Sequence, residues 1–582
     1  MKTQNSNVKR ILSTAAVAAL SFSSLFAQTN LGADCGCPSV ATRPTVLLST
    51  LAGSDGQLLA KNTILTCDKT WILDDKIYVD SLKSLTIQPG TVIKGRKAAT
   101  GNANALIVQR DAKIFASGTP TCPIVFTAEA DNLDGTFPIA STGQWGGVVI
   151  LGKSFVNLTV AKNTTTGSST RYCAGLDGTG FIEGFASANR RNVYGGGANV
   201  DEDDNSGILK YVSIRHAGDV LPVIPGTPAD GSNELNGLSL GAVGRGTTIE
   251  HVEIISAADD NIEFFGGTVN VKYITTMFGA DDMFDFDLGY KGKAQFYFGV
   301  KNATNDTLSI TSSDNGIEAD ADDNSAAPVH ALRSHPIFYN CTFVGNNRYN
   351  GNADNSGPAG IQAKELTEGE FYNNIFTNFR SGVNFATARS TAADKGDGYD
   401  NWTNTDNAYN TGTGVAVKGS LIIKNNTFFG NRYPITKGAM TSNKWSAIVT
   451  NPADGVKLSL GSTDDNNQFT NDGNLVPTTI TGINTVWAMN STTNAVSTAL
   501  DVIPSSNLAS TITAPADGFF TPVNYRGAFD ATKPSWLSGW AYATLLKTSA
   551  GLQSNPTDIN QDGMTDMKDF NQLLTRFNKA NN

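Results

Sequence analysis

Charge is scarce in this chain of 582 residues. Asp, Glu, Lys and Arg together make up 16% of it, well below the usual quarter. What charge there is leans acidic, with 53 Asp and Glu against 43 Lys and Arg and a formal net charge of −10. No stretch reads as a basic stripe, which excludes the phosphate-neutralising electrostatics of nucleic-acid binding. Histidine is rarer still, with four copies. There is no HExxH, no GxSxG and no P-loop, so zinc-protease, serine-hydrolase and nucleotide-hydrolysing chemistry have no motif to rest on. The six cysteines show no CxxC or Cys/His spacing of a zinc site. After the first 27 residues no apolar run is long enough to span a bilayer, so no transmembrane anchor is expected.

Hydrophobic residues nevertheless reach 40%, enough for a packed core. The polar surface must come from Asn, Thr, Ser and Gly, and 58 glycines fit a chain built from many tight turns. That composition suits an extracellular β protein. The N-terminus agrees: Lys2, Lys9 and Arg10 form a positive region, Ile11 to Phe26 is apolar and uncharged, and Ala27 is a small residue before a cleavage point. Residues 1–27 therefore read as a signal peptide, with the mature chain beginning near Gln28 and a secreted or cell-surface location. Export permits disulfides. Cys35, Cys37, Cys67, Cys122, Cys173 and Cys341 allow fifteen full pairings, and one or two staples near the N-terminal end are expected. Cys341 lies in an apolar strand and reads as a buried thiol.

The organising signal is an internal repeat. Ile249 to Gly267 aligns without a gap on Val271 to Gly289, an offset of 22, and one further offset reaches Lys293 and the apolar run Ala294 to Val300. Leu85 to Ile93 aligns with Leu106 to Ile114 at an offset of 21. A phrase of another kind recurs as Asn340-Cys-Thr-Phe343, Asn373-Asn-Ile-Phe376 and Asn425-Asn-Thr-Phe428, separated by Gly/Asn/Asp-rich inserts. The runs alternate, as in Val252/Ile254 and Ile262/Phe264, and favour β-branched and aromatic residues, which is the strand pattern and not the helical one. Three short strands with their turns make about 22 residues, one coil of a β-helix whose coils stack at about 4.8 Å. The fold class expected is all-β, a right-handed parallel β-helix, with a small C-terminal loop and helix.

The phrases Leu85-Thr-Ile-Gln-Pro-Gly-Thr-Val-Ile-Lys-Gly95, Gly143-Gln-Trp-Gly-Gly-Val-Val-Ile-Leu-Gly152, Gly237 to Thr247 and Ala258 to Gly267 resemble those of a family of secreted bacterial β-helix surface proteins of uncharacterised activity. Pro522 to Phe529 followed by Trp536-Leu-Ser-Gly-Trp540 is similar to their closing phrase. The resemblance spans roughly residues 65 to 547. It implies fold and location and brings no catalytic residues with it.

The C-terminus holds the most specific motif. Asp558, Asn560, Asp562, Asp566 and Asp569 fall at loop positions 1, 3, 5, 9 and 12, with Gly563 at 6 and the Met564 carbonyl at 7. That is the oxygen-ligand spacing of a calcium loop. Phe570, Leu573, Leu574 and Phe577 follow at helical spacing, and the whole resembles half of a type I dockerin repeat. With one copy and no entering helix, docking to a cohesin is not expected. The alternative is a solvated acidic turn.

A second constellation comes from the repeat. Alternation puts Ile262, Phe264, Phe284 and Phe286 inside, and Asp259, Glu263, Asp281, Asp285 and Asp287 together on one exposed patch outside, with Glu318 joining from a further copy at Asp314 to Asp320. Stacked carboxylates repel unless a cation, a Lys or Arg, or a proton neutralises them. Lys272, Lys291, Lys293 and Arg245 are the candidate neutralisers. Three readings stay open: a calcium or glycan contact, catalysis on a polysaccharide, and a plain solvated face. Catalysis would be calcium-assisted lyase chemistry with Arg215 or His216 as base, or glycoside hydrolysis by paired carboxylates. The division expected is an N-terminal cap at 28–68, the solenoid at 69–431, terminal coils and cap at 432–547, a linker at 548–557 and the calcium loop at 558–580. The function expected is a structural or binding protein, adhesin-like or contacting a polysaccharide or surface glycan, with a polysaccharide-degrading enzyme as the alternative.

Overall fold

The computed structural model describes residues 31–99, 103–158, 178–185, 190–221, 234–301, 315–321, 332–346, 358–364, 367–385, 402, 420–431, 433–437, 469–483, 488–490, 495–498 and 500–543. The signal peptide, Cys173 and the C-terminal calcium loop lie outside them.

Among the described residues ten three-stranded coils stack into a parallel β-helix. Each has three short strands, here assigned to faces A, B and C. In the first coil these are Asn62–Leu65, Thr70–Leu73 and Ile77–Val79, and in the tenth Leu421–Lys424, Thr427–Phe429 and Tyr433–Lys437. Faces A and B merge into one continuous 17-stranded sheet and face C forms a 10-stranded sheet, with parallel pairing between neighbouring coils. One ladder on face B shows what the register does for the core. Trp71, Ile93, Phe126, Ile214, Ile254, Thr276, Gly299, Phe343, Phe376 and Phe428 sit one above another through all ten coils. Phe343, Phe376 and Phe428 are ring-stacked at 5.4 Å per step, which is why the Asn-x-x-Phe phrase recurs. No coil could bury such a ring alone, so the stacking of identical positions is the main source of stability.

The expected pairing Ile249 with Val271 is present. The next step is not 22: Val271 pairs with Ala294, an offset of 23, because Lys293 starts the strand one residue earlier and lies opposite Ile337. The alignment of Leu85 with Leu106 also fails. Leu85 is on face A, opposite Ile114, whereas Leu106 is on face C, between Ile77 and Val148. Two strands of one coil resemble each other in sequence because both alternate around the same core, and the offset of 21 matched different faces.

The corner between faces A and B is a single left-handed residue. Tyr211, His251, Tyr273, Phe296, Asn340, Asn373 and Asn425 occupy it with φ between 50° and 59°. Such a conformation costs about 1–2 kcal/mol for a residue with a Cβ. Stacking offsets it in the middle coils, where successive rings lie 4.4, 4.5 and 5.1 Å apart. In the later coils amide bonds offset it, as from Asn425 Nδ2 to Asn373 Oδ1 at 2.6 Å.

Two further devices close the solenoid. At the N-terminal end Cys35–Cys122 and Cys37–Cys67 tie the leading segment to the first coils, where one or two staples were expected, and Cys341 is the buried free thiol. Downstream, residues 500–543 run back over the side of the solenoid as a strap. Trp540 wedges against Tyr211 and His251, and the Glu253 carboxylate accepts the N–H groups of Tyr542 and Ala543 at 3.0 and 2.9 Å. Among the described residues no helix is long and apolar enough to cross a membrane.

Candidate metal centre

Face C points outward through a polar ladder. Ser239, Glu263, Asp285, Glu318, Gln362 and Asn384 are stacked coil on coil. Just before it, at the corner between faces B and C, runs a second ladder made of side chains that catch the backbone of the next coil. Asn236 Oδ1 accepts the Asp260 N–H at 3.2 Å, Asp260 Oδ1 accepts the Asp282 N–H at 2.7 Å, Asp282 accepts the Asn315 N–H at 2.5 Å, and Asn315 Oδ1 accepts the Ala359 N–H at 2.9 Å. The two ladders converge in the fifth and sixth coils.

There the carboxylates gather into two sets. One oxygen from each of Asp259, Asp260 and Asp281 lie within 4.8 Å of one another, and so do those of Asp260, Glu263 and Asp285. The expected patch residues Asp259, Glu263, Asp281 and Asp285 are thus brought together. Glu318 sits one coil on, in an ion pair with Lys364. Asp287 lies a step further along its strand, opposite Phe265, and belongs to neither set.

The patch is less exposed than expected: Glu263 and Asp287 are each only 4% exposed, and Asp259, Asp281 and Asp285 are half-buried. The corner residues Asp260 and Asp282 beside them are buried. Two inserts that the repeat did not announce contribute to this. One carries a small antiparallel pairing of Gly180–Phe181 with Val193–Tyr194, the other of Asp219–Val220 with Glu234–Leu235. They pack apolar side chains, among them Ile182, Tyr194 and Leu235, against Val149, Phe265 and Leu288 of face C. Glu183 and Glu234 arrive with them, and their charges act on Asp259. The patch is therefore a partly buried carboxylate cluster on the solenoid with the inserts packed beside it.

Burial and mutual repulsion set its electrostatics. Burial, with the charges of Glu234, Glu183, Asp281 and Asp282 added, pushes Asp259 well above the usual carboxylate range; Asp260 is pushed the same way by burial and by Asp259, Asp285, Asp282 and Glu263. Burial lifts Asp282 to about 6, against the opposing pull of Lys301 and Lys364. The neutralisers expected from sequence are engaged elsewhere. Lys272 bonds the Phe519 carbonyl and Thr521, Lys293 pairs with Asp517, Arg245 pairs with Glu202 and Asp203, and Lys291 lies over the Phe155 ring. The candidate bases are also committed. Arg215 is stacked 4.2 Å from the centre of the Tyr542 ring and bonded to Ser213, and His216 is wedged against Phe137 and the Ser141 carbonyl, with burial lowering its pKa to about 4.

The donors fit a hard divalent cation. Calcium–oxygen distances of about 2.3–2.6 Å put ligands on opposite sides of one ion up to about 5 Å apart, which the two sets match. Asp282 Oδ2, buried with no hydrogen-bond partner, lies in neither set, and the charges of Lys301 and Lys364 act on Asp282. Sequence reasoning missed Asp260, Asp282, Glu183 and Glu234. The first two were legible: Asn236-Gly-Leu, Asp260-Asn-Ile, Asp282-Met-Phe and Asn315-Gly-Ile align on the position two before the first inward residue, which marks the corner ladder. The glutamates were not, because nothing in a local pattern says where an insert lands.

A model of the pectate-lyase-like β-helix domain matches residues 56–450. The chain belongs to that family. Among solved structures it matches PfbA, a surface adhesin of Streptococcus pneumoniae, at 9% identity and a TM-score of 0.30, over 64% of this chain and 78% of that one. A likeness of that level says nothing about what this chain binds. No curated protein matches it.

Proposed function

We propose that this is an exported binding protein, at the cell surface or secreted, whose β-helix holds calcium in the acidic cluster and contacts a polysaccharide or surface glycan beside it. The observation that supports the calcium is the cluster itself: two sets of three carboxylates that share Asp260, the ligand oxygens in each set lying within 4.8 Å of one another. Asp259, Asp260, Glu263, Asp281 and Asp285 would hold the ion. A family whose fold serves lyases and inert rods alike does not decide the activity. The lyase or hydrolase reading needs a base that a polymer can reach, and Arg215 and His216 are 1% and 2% exposed. The C-terminal loop of Asp558, Asn560, Asp562, Met564, Asp566 and Asp569 is proposed as a second, independent calcium site.

The test is calorimetry and thermal melting of the full chain in calcium and in chelator, with a glycan array and a turnover screen run in both. Calcium uptake by an Asp562→Ala variant, lost when Asp281 and Asp285 are both changed to Asn, is the expected result. A stability loss of about 1 kcal/mol or more in that double variant, seen only with calcium, should accompany it. Unchanged uptake with equal or higher stability would overturn the calcium assignment, since removing uncompensated repulsion stabilises. Turnover of a polysaccharide would overturn the choice of binding over catalysis. N-terminal sequencing of the exported protein should begin near Gln28.

A further inference from the structure

We infer that the strap is a clasp that opens and closes as one piece over a solenoid already formed, and that Arg526 and Gly527 are the residues that seat it. The inference is independent of the carboxylate cluster and of any ion in it.

The strap runs along the solenoid axis, against the order of the coils, and at first meets a new coil with each residue. Arg526 Nη2 donates to Asn425 Oδ1 of the tenth coil at 2.6 Å, the Gly527 N–H to the Asn373 carbonyl of the ninth at 2.7 Å, and the Ala528 N–H to Thr342 Oγ1 of the eighth at 2.9 Å. Phe529 packs edge-on against Phe298 of the seventh, and Trp536 lies 5.6 Å from Tyr273 of the sixth. Glu253, which holds Tyr542 and Ala543, belongs to the fifth.

The chemistry of the strap follows that of the corner beneath it. Where the corner residue is aromatic, at Tyr211, His251 and Tyr273, the strap offers Trp540 and Trp536. Where it is Asn, the strap offers polar groups: the Tyr525 carbonyl accepts from Asn340 Nδ2, the Ile512 carbonyl from Asn373 Nδ2 at 2.8 Å, and Ser510 Oγ from Asn425 Nδ2 at 2.6 Å. Under the strap lies an outward apolar stripe of Ile255, Met277, Val300 and Val344, one residue from each of coils five to eight.

Two features make the strap one piece. Its two limbs hold each other, the Arg526 N–H to the Leu508 carbonyl and the Ser510 N–H to the Asn524 carbonyl, both at 2.9 Å. The Arg526 guanidinium then ties both limbs down, because it also donates to the carbonyls of Ala509 in the strap and of Asn426 and Gly473 outside it. Arg526 is buried and these acceptors are all neutral, so a half-lifted strap leaves a buried charge short of partners. Gly527 sits at φ 86°, and a Cβ there would meet Ile375 Cδ1 at 2.6 Å, so the strap lies this close only with glycine. The strap is also separable. Among the described residues none of it joins either large sheet, and its bridge between Ala509 and Tyr525 is internal. Lifting it leaves the ladder from coil to coil whole.

Hydrogen exchange of the full chain, read by peptide mass spectrometry, tests the clasp. In the parent, peptides covering 507–512, 524–529 and 540–543 should open with one common constant, equal within about twofold, and more readily than coil peptides at 252–255 and 371–377. Arg526→Met and Gly527→Ala should each raise exchange in all three strap peptides by one shared factor of about tenfold or more, the size expected for one lost bond to a charged group. The coil peptides should not change. A rise confined to 524–529, with 540–543 unmoved, would show independent contacts and overturn the single clasp. Coil peptides that open together with the strap would overturn its separability. If a variant fails to fold, the parent still decides, because three unequal opening constants refute the clasp.

Discussion

His335 should titrate far above an ordinary histidine. Its ring lies between two carboxylates, Nδ1 3.3 Å from Glu368 Oε2 and Nε2 3.5 Å from Glu370 Oε1, while Glu368 also pairs with the buried Arg333 at 3.2 Å. Burial alone would lower the pKa, but the two carboxylates outweigh it and raise it from 6.5 to about 9; the same contact holds Glu370 below its usual range. A folded value above the unfolded one means that the protonated ring stabilises the fold. That contribution is complete below about pH 6.5 and is lost as the pH rises through about 9. A shift of this size corresponds to about 3 kcal/mol, an upper figure because the side chain is 29% exposed and solvent screens it. With four histidines in the chain, ring-proton NMR can follow each one. The expected pattern is one midpoint near 9 and another, from His216, near 4. Urea unfolding should show His335→Gln less stable than the parent by up to about 3 kcal/mol at pH 6, with the gap closing by pH 10. A His335 midpoint at or below 7, or a variant whose deficit does not change between pH 6 and 10, would refute the ion-pair account.

Three further outcomes follow from packing and charge. Phe376→Ala removes the middle ring of the Phe343–Phe376–Phe428 stack, and should cost about 3–5 kcal/mol by urea unfolding. Trp540→Ala should release the strap without melting the coils: exchange at residues 536–543 rises while peptides in 371–377 stay protected. Asp562→Ala should abolish calcium uptake at the C-terminal loop and leave the melting of the solenoid unchanged, because the sequence of residues 548–557 reads as a linker between the two.

How much of this could be read from the sequence depends on what is local. Alternation and a fixed period are local, and they placed Ile249 over Val271 and brought Asp259, Glu263, Asp281 and Asp285 to one azimuth. The period is local only while coils are equal. Once an extra residue enters before Ala294, or 29 residues separate Ser84 from its neighbour Lys113, a constant offset mispairs strands. The corner residues were legible in half. Asn340, Asn373 and Asn425 announce a left-handed turn, whereas Tyr211, His251, Tyr273 and Phe296 do the same job by stacking, which no propensity signals.

The acidic azimuth shows where local reading ends and why the difference matters chemically. On an open face, stacked carboxylates about 5 Å apart in high dielectric repel by roughly 1 kcal/mol per pair, and water and salt absorb it. That is the condition under which a solvated, purposeless ladder is the sensible reading. Packing beside the same ladder changes the energetics: the inserts bring Ile182, Tyr194 and Leu235 together with Val149, Phe265 and Leu288 and lower the dielectric around the neighbouring carboxylates. The apolar burial favours closing, and the repulsion it amplifies opposes it. The inserts also add Glu183 and Glu234 to an already negative cluster. On the proposed calcium reading, closure and cation uptake are coupled, each lowering the free energy of the other. Calcium should therefore protect the 178–185 and 234–235 backbone from exchange, and chelation should expose it while the coils beneath stay closed. Equal exchange in the inserts with and without calcium would separate the two events and leave the acidic floor unexplained.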